Sequence, residues 1–408
     1  MPMQAAGIKQ LLDARISRER AKHLLIELVK VPSPQTALLE DEPLLKEFIR
    51  TAVEPRLRAM GLAEIRYDAM GNLIATCGTG TSGKSLMFIG NAMNQPAATM
   101  PNPYTGDVVD GAKYDLPGEC VMGKGASEQK ANLAAMLHAM ETVIASGVPI
   151  EGLLIFTGCL SGETGKHDAI KSVVEGAGVR ADMAVLGGTG LKITLGNRGR
   201  IDVFVTVKGS PCHSSRPWDG VNAITGATEA IRLLLSKVKL DKSHPQLGKQ
   251  SLTVNHIRSF PDSTHTVQER CELTLDRRLL PGDDPNEAFA EIERVARQVE
   301  QLEDPVSGKP FGVEVRLGPF MYPSLVTTES PVVRALLHAS EAMLGKAVET
   351  YYSPSAFDQG YLNHMGIPTA NFGAGEHQYA HTDYDMASVE RTTDSARIYA
   401  FMMLDHLT

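Results

Sequence analysis

The feature that most restricts the fold is a regular alternation of short apolar runs and amphipathic stretches between residues 72 and 190. The apolar runs are NLIAT, SLMFIG, GLLIFTG and DMAVLGG, and helical patterns such as NLAAMLHAMETVIAS lie between them. Continuous apolar runs are typical of parallel strands that are buried on both faces. The alternation therefore predicts an α/β domain, with a mostly parallel sheet covered by helices.

The pattern changes after residue 196. The runs RIDVFVTVKG, LTVNHIRSF and CELTLDRRLL alternate apolar and polar side chains, as strands with one buried face do, and two helical segments accompany them at 219–236 and 284–300. The earlier rhythm returns after residue 320 and ends in a helix predicted over 386–405. We therefore expect a discontinuous α/β domain of residues 1–196 and 320–408, interrupted by an inserted α+β domain of residues 197–319.

Charge and composition exclude several classes of partner. The 408 residues carry a formal net charge of −8 without a dense Lys/Arg run, so nothing favours nucleic acid or an anionic membrane, and a small molecule is the expected ligand. No 18-residue apolar run or signal-peptide pattern is present, which predicts a cytoplasmic protein. The five cysteines are scattered without C-x-x-C spacing, so we expect reduced thiols.

One phosphate-binding motif is a false match. Residues 78–85, GTGTSGKS, fit the pattern G-x-x-x-x-G-K-[ST], but the segment leads into the apolar strand LMFIG. The mechanism of that motif requires a following helix whose N-terminal amides hold phosphate. We interpret the segment as a hairpin between two strands and reject a nucleotide-hydrolysing function.

Four loops that follow strands or begin a helix carry polar side chains of a kind that binds metal or substrate. Asn91 follows SLMFIG, Glu128 begins a helix, Glu163 follows GLLIFTG, and His381 follows ANFGAG. Two carboxylates and an imidazole can hold one borderline divalent cation with positions left open for water or substrate. Each residue also has a simpler explanation as a helix-terminal acid, a solvated loop acid or a backbone-bonded histidine. Spacing alone leaves the choice open.

Seven segments in a fixed order resemble a known family. They are GNLIAT, GKGASEQK, SGETG, GSPCHSSRPWDGVNAI, DRRLLP, GIPTANFGAG and AHTDYD, and they extend over nearly the whole chain. The chain resembles the family of acetylornithine deacetylase, succinyl-diaminopimelate desuccinylase and carboxypeptidase G. The resemblance implies a di-metal hydrolase whose catalytic domain is interrupted by a smaller lid domain that dimerises.

Departures from the family pattern concern one half of the metal site. Asn91 and Met93 stand at the two ends of the family's H-x-D, Gly162 replaces the catalytic Glu, and Gly188 replaces an acidic ligand. The resemblance thus implies that the first ion has lost both of its own ligands and that the general base is missing. We expect a single divalent transition metal ion, manganese, zinc or cobalt, on the ligands retained for the second ion: Glu128, Glu163 and His381.

The resemblance also assigns catalytic and substrate-binding roles. His213 matches a lid histidine that reaches the partner subunit's active site and stabilises the developing oxyanion. Arg278 and the loop with Gly373 and Gly375 match elements that bind a substrate carboxylate. We also expect Asn91 to contact substrate.

Two residues close to His381 in the sequence are candidates to replace the missing base. Glu376 and His377 precede it by five and four positions, although a plain polar loop explains them equally well.

These observations favour a mono-metal amidohydrolase or aminohydrolase that cleaves a small-amide or other non-peptide C–N bond in a carboxylate-bearing molecule and forms a homodimer. The alternative is a catalytically inactive family member that acts as a binding or assembly protein. A metal-free enzyme with another nucleophile, such as Cys159, ranks last.

Overall fold

The computed structural model describes residues 4–162 and 164–408. The α-helices in these residues are α1 Ala5–Asp13, α2 Arg18–Val29, α3 Pro43–Phe48, α4 Glu54–Ala59, α5 Ala131–Ala145, α6 Asp168–Lys171, α7 Ala223–Lys237, α8 Pro285–Ala296, α9 Pro331–Leu344, α10 Gln359–His364 and α11 Val389–Leu407. The strands are β1 Glu64–Tyr67, β2 Leu73–Cys77, β3 Ser85–Asn91, β4 Asp107–Asp110, β5 Glu119–Met122, β6 Leu153–Cys159, β7 Met183–Thr189, β8 Ile193–Asn197, β9 Gly199–Lys208, β10 Ser243–His244, β11 Gly248–Lys249, β12 Ser251–Phe260, β13 Arg270–Leu279, β14 Gly312–Met321, β15 Ser324–Leu325, β16 Thr350–Ser353, β17 Thr369–Gly375 and β18 Met386–Ser388.

The chain forms two compact units. The first contains the residues up to Leu195, then Val326–Tyr352 and Tyr361–Thr408, and the second contains Gly196–Leu325 and Ser353–Gly360. The sequence predicts the insertion at 197–319, and the structure adds the short return segment at 353–360 to the second unit. This addition could not be predicted from the sequence, because residues 353–360 are far from the rest of the unit along the chain and carry no periodic pattern.

A six-stranded sheet organises the first unit. Its strand order is β1-β2-β6-β3-β7-β17, and the three pairings β3 with β6, β3 with β7, and β17 with β7 are parallel. The outer pairings, β1 with β2 and β2 with β6, are antiparallel. The predicted α/β class with a mostly parallel sheet is confirmed.

The core of the first unit lies between the sheet and the helices α5 and α11. The ring of Tyr399 on α11 meets Phe88 of β3 at 5.1 Å and Phe372 of β17 at 5.8 Å between centroids, both edge to face. All three side chains are fully buried. Burial of each such ring contributes on the order of 2–3 kcal/mol, so this cluster fixes α11 across the middle of the sheet.

Two details of the predicted secondary structure are wrong. The segment after β2 is not a hairpin, because β6 lies between β2 and β3 in the sheet, so the chain crosses over a strand there. The predicted last helix begins three residues too early. Residues Met386–Ser388 form β18, which pairs with β5, and the Ser388 hydroxyl then caps α11 by accepting a hydrogen bond from the N–H of Arg391 at 3.3 Å.

The second unit is an α+β layer. Its antiparallel sheet has the order β12-β13-β9-β14, and one face packs on α7 and α8. Along β9 the residues Ile201, Val203, Val205 and Val207 are buried and their neighbours are half-buried, as the alternation in the sequence predicts. None of the helices in the described residues has both the length and the apolar character needed to cross a bilayer.

Candidate active site

One turn of the first unit contacts several strands at the carboxyl ends of the parallel strands. The turn Ala126–Lys130, which precedes α5, packs against β3, β7, β17 and β18. Its approach to β17 is close, because a Cβ atom on Gly375 would lie 2.2 Å from the carbonyl oxygen of Ser127. Glycine at this position is therefore required by the proximity of two backbones, and the turn is held over the edge of the sheet where α/β proteins bind ligands.

Glu128 and His381 meet at this edge although 253 positions separate them. Oε2 of Glu128 lies 2.9 Å from Nε2 of His381. The Glu128 side chain is 20% exposed and that of His381 is 54% exposed, so the pair faces solvent from a partly sheltered position. His381 has φ of 64°, a left-handed conformation that non-glycine residues adopt rarely and that occurs often at functional sites.

Asp385 holds the two segments together. Its carboxylate accepts hydrogen bonds from the backbone N–H of Gly125 at 2.7 Å and of Ser127 at 2.8 Å. Nζ of the buried Lys124 donates to the carbonyl oxygen of Thr382 at 3.2 Å, between His381 and Asp385. Burial raises the pKa of Asp385 to about 6. Asp385 is not among the site residues predicted from the sequence. Its place as the last residue of the segment AHTDYD is the only indication of a role in the sequence.

The third predicted metal ligand, Glu163, lies outside the described residues, but its neighbours are firmly anchored. Glu40 accepts hydrogen bonds from the hydroxyls of Ser161 at 2.7 Å and Thr164 at 3.0 Å. Asn72 of the GNLIAT segment is fully buried and its Oδ1 accepts from the N–H of Leu160 at 2.8 Å. The residues on both sides of position 163 are thus held by side chains from elsewhere in the same unit.

The donor chemistry of the Glu128 and His381 pair suits a borderline divalent ion. Carboxylate oxygen and imidazole nitrogen bind such ions at roughly 2 Å, and two donors of one ion therefore lie roughly 3 Å apart, as these do. Among the described residues no group of three or more His, Cys, Asp or Glu side chains is arranged to hold a metal. The pair thus fits part of a ligand set, and Glu163 remains the predicted third member.

Glu376 and His377, the two candidates to replace the missing general base, differ in their exposure to solvent. Glu376 is only 2% exposed and forms an ion pair with Arg391, while burial raises its pKa to about 7. Its backbone N–H donates to the Ser127 hydroxyl at 2.8 Å, so Glu376 also belongs to the support of the turn. His377 is exposed.

The glycines of the β17 loop are explained by packing. A Cβ atom on Gly373 would lie 1.9 Å from Oδ1 of Asn132, and that oxygen accepts a hydrogen bond from the N–H of Ala374 at 3.0 Å. Nδ2 of the same Asn132 donates to the carbonyl oxygen of Gly188 at 3.0 Å. Asn132 therefore ties the ends of β7 and β17 together, and carboxylate binding by Gly373 and Gly375 stays a prediction.

The predicted lid residues lie in the second unit. Nδ1 of the exposed His213 accepts a hydrogen bond from the backbone N–H of Ser215 at 3.2 Å, which places the proton of the neutral ring on Nε2. Arg278 directs Nε and Nη2 at the carboxylate of Asp276, at 2.8 Å and 3.0 Å. Its guanidinium is thereby held in one orientation on β13 with its remaining donors available to other groups.

Comparison with known proteins bears on the predicted family. The model of the peptidase dimerisation domain matches residues 195–302. Succinyl-diaminopimelate desuccinylase of Corynebacterium glutamicum is 28% identical over 391 residues, which cover 91% of this chain and 92% of that protein. Both findings support the predicted family, that of acetylornithine deacetylase and succinyl-diaminopimelate desuccinylase, which the chain resembles over most of its length.

Two further comparisons concern one relative in sequence and one solved structure with the same fold. Acetylornithine deacetylase of Proteus mirabilis is 26% identical over 348 residues, which cover 79% of this chain and 80% of that protein. An M20 family metallo-carboxypeptidase from Sulfolobus solfataricus superposes with a TM-score of 0.76 over 95% of this chain and 99% of that one at 17% sequence identity, and shows the same fold.

Asn91 and Gly188, where the sequence analysis expects departures from the family pattern, are both closely packed. Asn91 ends β3, is 4% exposed, and its Oδ1 has no hydrogen-bond partner in the described part of the chain. At Gly188 a Cβ atom would lie 2.9 Å from the backbone nitrogen of Phe372. A side chain at position 188 would therefore require β7 and β17 to move apart.

Proposed function

We propose that this chain is a metal-dependent hydrolase of a C–N bond in a small carboxylate-bearing amide or amine, and that it uses one divalent ion of manganese, zinc or cobalt. The contact of 2.9 Å between Glu128 and His381 carries the proposal. It brings a carboxylate and an imidazole to the ligand-binding edge of an α/β sheet. Glu163 is proposed as the third protein ligand.

A bound ion at this position supplies a Lewis acid, which lowers the pKa of a water and polarises a substrate oxygen. Glu128 and His381 would hold the ion, and the hydrogen bond between Asp385 and Ser127 keeps the turn and the His381 loop together. His213 donates from Nε2 to the oxygen that gains charge. Of the two candidates for the base we propose His377, because it is exposed, whereas Glu376 is buried and paired with Arg391.

The substrate class follows from the relatives and from Arg278. The named relatives remove a succinyl and an acetyl group from amino compounds that carry carboxylates. Arg278 has a guanidinium already oriented by Asp276, and such a planar fork binds carboxylates in a bidentate manner. We therefore expect an N-acyl amino acid or a related small amide.

The assembly and location belong to the same proposal. The dimerisation-domain match over 195–302 supports a homodimer through the second unit. The dimer brings His213 of one subunit to the metal site of its partner. The similarity to enzymes named succinyl-diaminopimelate desuccinylase and acetylornithine deacetylase leads us to propose the cytoplasm.

Metal analysis combined with a substrate screen tests the function. Protein purified without chelator and reconstituted with manganese, zinc or cobalt should hold about one ion per chain and hydrolyse at least one N-succinyl, N-acetyl or N-carbamoyl amino acid. Chelation should abolish turnover and the metal should restore it. Turnover that survives both chelation and Glu128→Ala would contradict the proposal.

An inactive binding protein is the second candidate, and one observation favours it. Position 162, where the family has its catalytic Glu, carries no side chain and offers no space for one. This candidate predicts that the metal-loaded protein binds members of the same panel in calorimetry without turning any of them over.

A further inference from the structure

Gly162 and Asn91 contact each other so closely that no side chain fits at position 162. A Cβ atom on Gly162 would lie 2.0 Å from Nδ2 and 2.6 Å from Cγ of Asn91. Non-bonded heavy atoms pack at about 3.5–4.0 Å, so any residue other than glycine at this position overlaps the Asn91 carboxamide. The Asn91 amide stands where the side chain of residue 162 would begin.

Backbone conformation does not explain this glycine. Many glycines of this chain have a positive φ, including the nearby Gly165 with φ of 73°, but among the described residues Gly162 is not one of them. The φ of position 162 is thus outside the left-handed region that favours glycine. The three atoms nearest to a Cβ at this position all belong to Asn91, so Asn91 is the first obstacle to a side chain here.

The backbones at both positions are held in place, so only a rotation of the buried Asn91 side chain could relieve the overlap. Asn91 pairs with Cys159 at the end of β3, and the following N–H, of Ala92, donates to the Cys159 carbonyl at 2.8 Å. Next to Gly162, the Ser161 hydroxyl donates a hydrogen bond of 2.7 Å to the Glu40 carboxylate. The contact is thus set by the parallel pairing of two buried strands.

The carboxamide oxygen of Asn91 is buried and has no hydrogen-bond partner among the described residues. Buried polar atoms are normally paired, and unpaired ones are concentrated where function retains them. An apolar side chain of similar size would fill the same space without that cost.

We propose that Asn91 and Gly162 form an interlocked pair that determines which base can act in the cleft. The Asn91 carboxamide occupies the side-chain space of position 162 and makes this wall of the cleft an uncharged amide. A carboxylate at position 162 can then be introduced only together with a smaller residue at position 91. The catalytic part of this inference rests on the proposed function, whereas its steric part does not.

Thermal unfolding of four proteins tests the steric part: the unmodified chain, Asn91→Ala, Gly162→Ala and the double variant. Gly162→Ala alone should lower Tm by roughly 2–5 °C through overpacking, and in the Asn91→Ala background its effect should be less than about half of that. Gly158→Ala is the matched control on β6, because its nearest contacts of 3.6 Å are ordinary and independent of Asn91. Equal Tm shifts for Gly162→Ala in both backgrounds overturn the inference.

Two further measurements cover the remaining outcomes. If Gly162→Ala does not fold, a folded double variant supports the pair and an unfolded one overturns it.

For the catalytic part, manganese-loaded Asn91→Ala/Gly162→Glu should hydrolyse N-acetylornithine about a hundredfold faster than Asn91→Ala/Gly162→Gln. Equal rates contradict the catalytic part, whereas absence of metal from every variant and from the unmodified protein contradicts the proposed function instead.

Discussion

The carboxylate of Asp385 accepts a hydrogen bond of 2.8 Å from the backbone N–H of Ser127, the residue that precedes Glu128. Through this bond and the one from Gly125, the His381 loop and the turn before α5 form one rigid element. Two of the three proposed metal ligands, Glu128 and His381, therefore depend on a residue that binds no metal itself.

Asp385→Asn should weaken metal binding without unfolding the protein. The amide that replaces one oxygen is a donor and faces a backbone N–H, so one of the two bonds is lost and the turn loosens. Loss of such supporting bonds typically lowers metal affinity by roughly 10- to 100-fold. Calorimetric titration with manganese measures the change, and Asp383→Asn, on the same loop, is the control that should keep the original affinity.

Glu128→Ala and His381→Ala should each reduce the metal content from about one ion per chain to nearly none. Each change removes one of few protein ligands, and the remaining donors bind an ion too weakly to survive dialysis. Elemental analysis after dialysis gives the result. His23→Ala removes an exposed histidine from α2 and should leave the metal content unchanged. Two tightly bound ions per chain in the unmodified protein would refute the single-ion proposal.

His213→Ala should lower kcat by roughly 10²- to 10³-fold while metal content and assembly stay the same, because one donor to the oxyanion is lost. His265→Ala, in the strand-connecting loop that bonds to Ser214, serves as the control. A mixture of His213→Ala and Glu128→Ala subunits adds a sharper measurement. If His213 acts in the partner's cleft, random exchange should restore about a quarter of the original activity, since half of the dimers gain one complete site. Mixed dimers without activity would place His213 in its own subunit's cleft.

The second unit should dimerise along the free edge of β12. This edge strand and α7 expose Ile257 and Leu235, and exposed apolar edges favour pairing with another strand. Ile257→Asp/Leu235→Glu should therefore give a monomer in light scattering. Val306→Asp changes another exposed apolar residue of the same unit and should remain dimeric. A double variant that stays dimeric would exclude this edge as the interface.

Stability should fall at mildly acidic pH through His138. This buried ring accepts a hydrogen bond at 3.1 Å from the N–H of Ser17 through Nε2, and burial lowers its pKa below the ordinary value of 6.5. The unfolded chain therefore binds more protons than the folded one between the lowered pKa and 6.5. The resulting stabilisation is complete above pH 6.5 and is lost as the pH falls through the folded-state pKa. His138→Gln should show a smaller drop in Tm from pH 7 to pH 5, and His23→Gln should keep the original drop.

The periodicity of the sequence depends only on neighbouring residues, and it was sufficient to predict individual strands. Apolar runs bounded by turn residues placed β2, β3, β6 and β7, and the alternation in RIDVFVTVKG gave β9 with one buried face. The hairpin after β2 was wrong because strand order depends on which edges meet, and the crossover over β6 leaves no trace in residues 78–84. The start of α11 was wrong because β18 is a strand only through its pairing with β5.

The sequence alone determined the fold class, the family and a short set of candidate ligands, since these depend on residue types, their order and their local spacing. Only the tertiary structure decided which of these candidate residues lie in contact with one another. It brought Glu128 to His381 through Asp385, buried Glu376 against Arg391, and filled the side-chain space of Gly162 with Asn91. The physical reason is that contact across hundreds of residues follows from the packing of strands and turns in three dimensions, which no local pattern encodes.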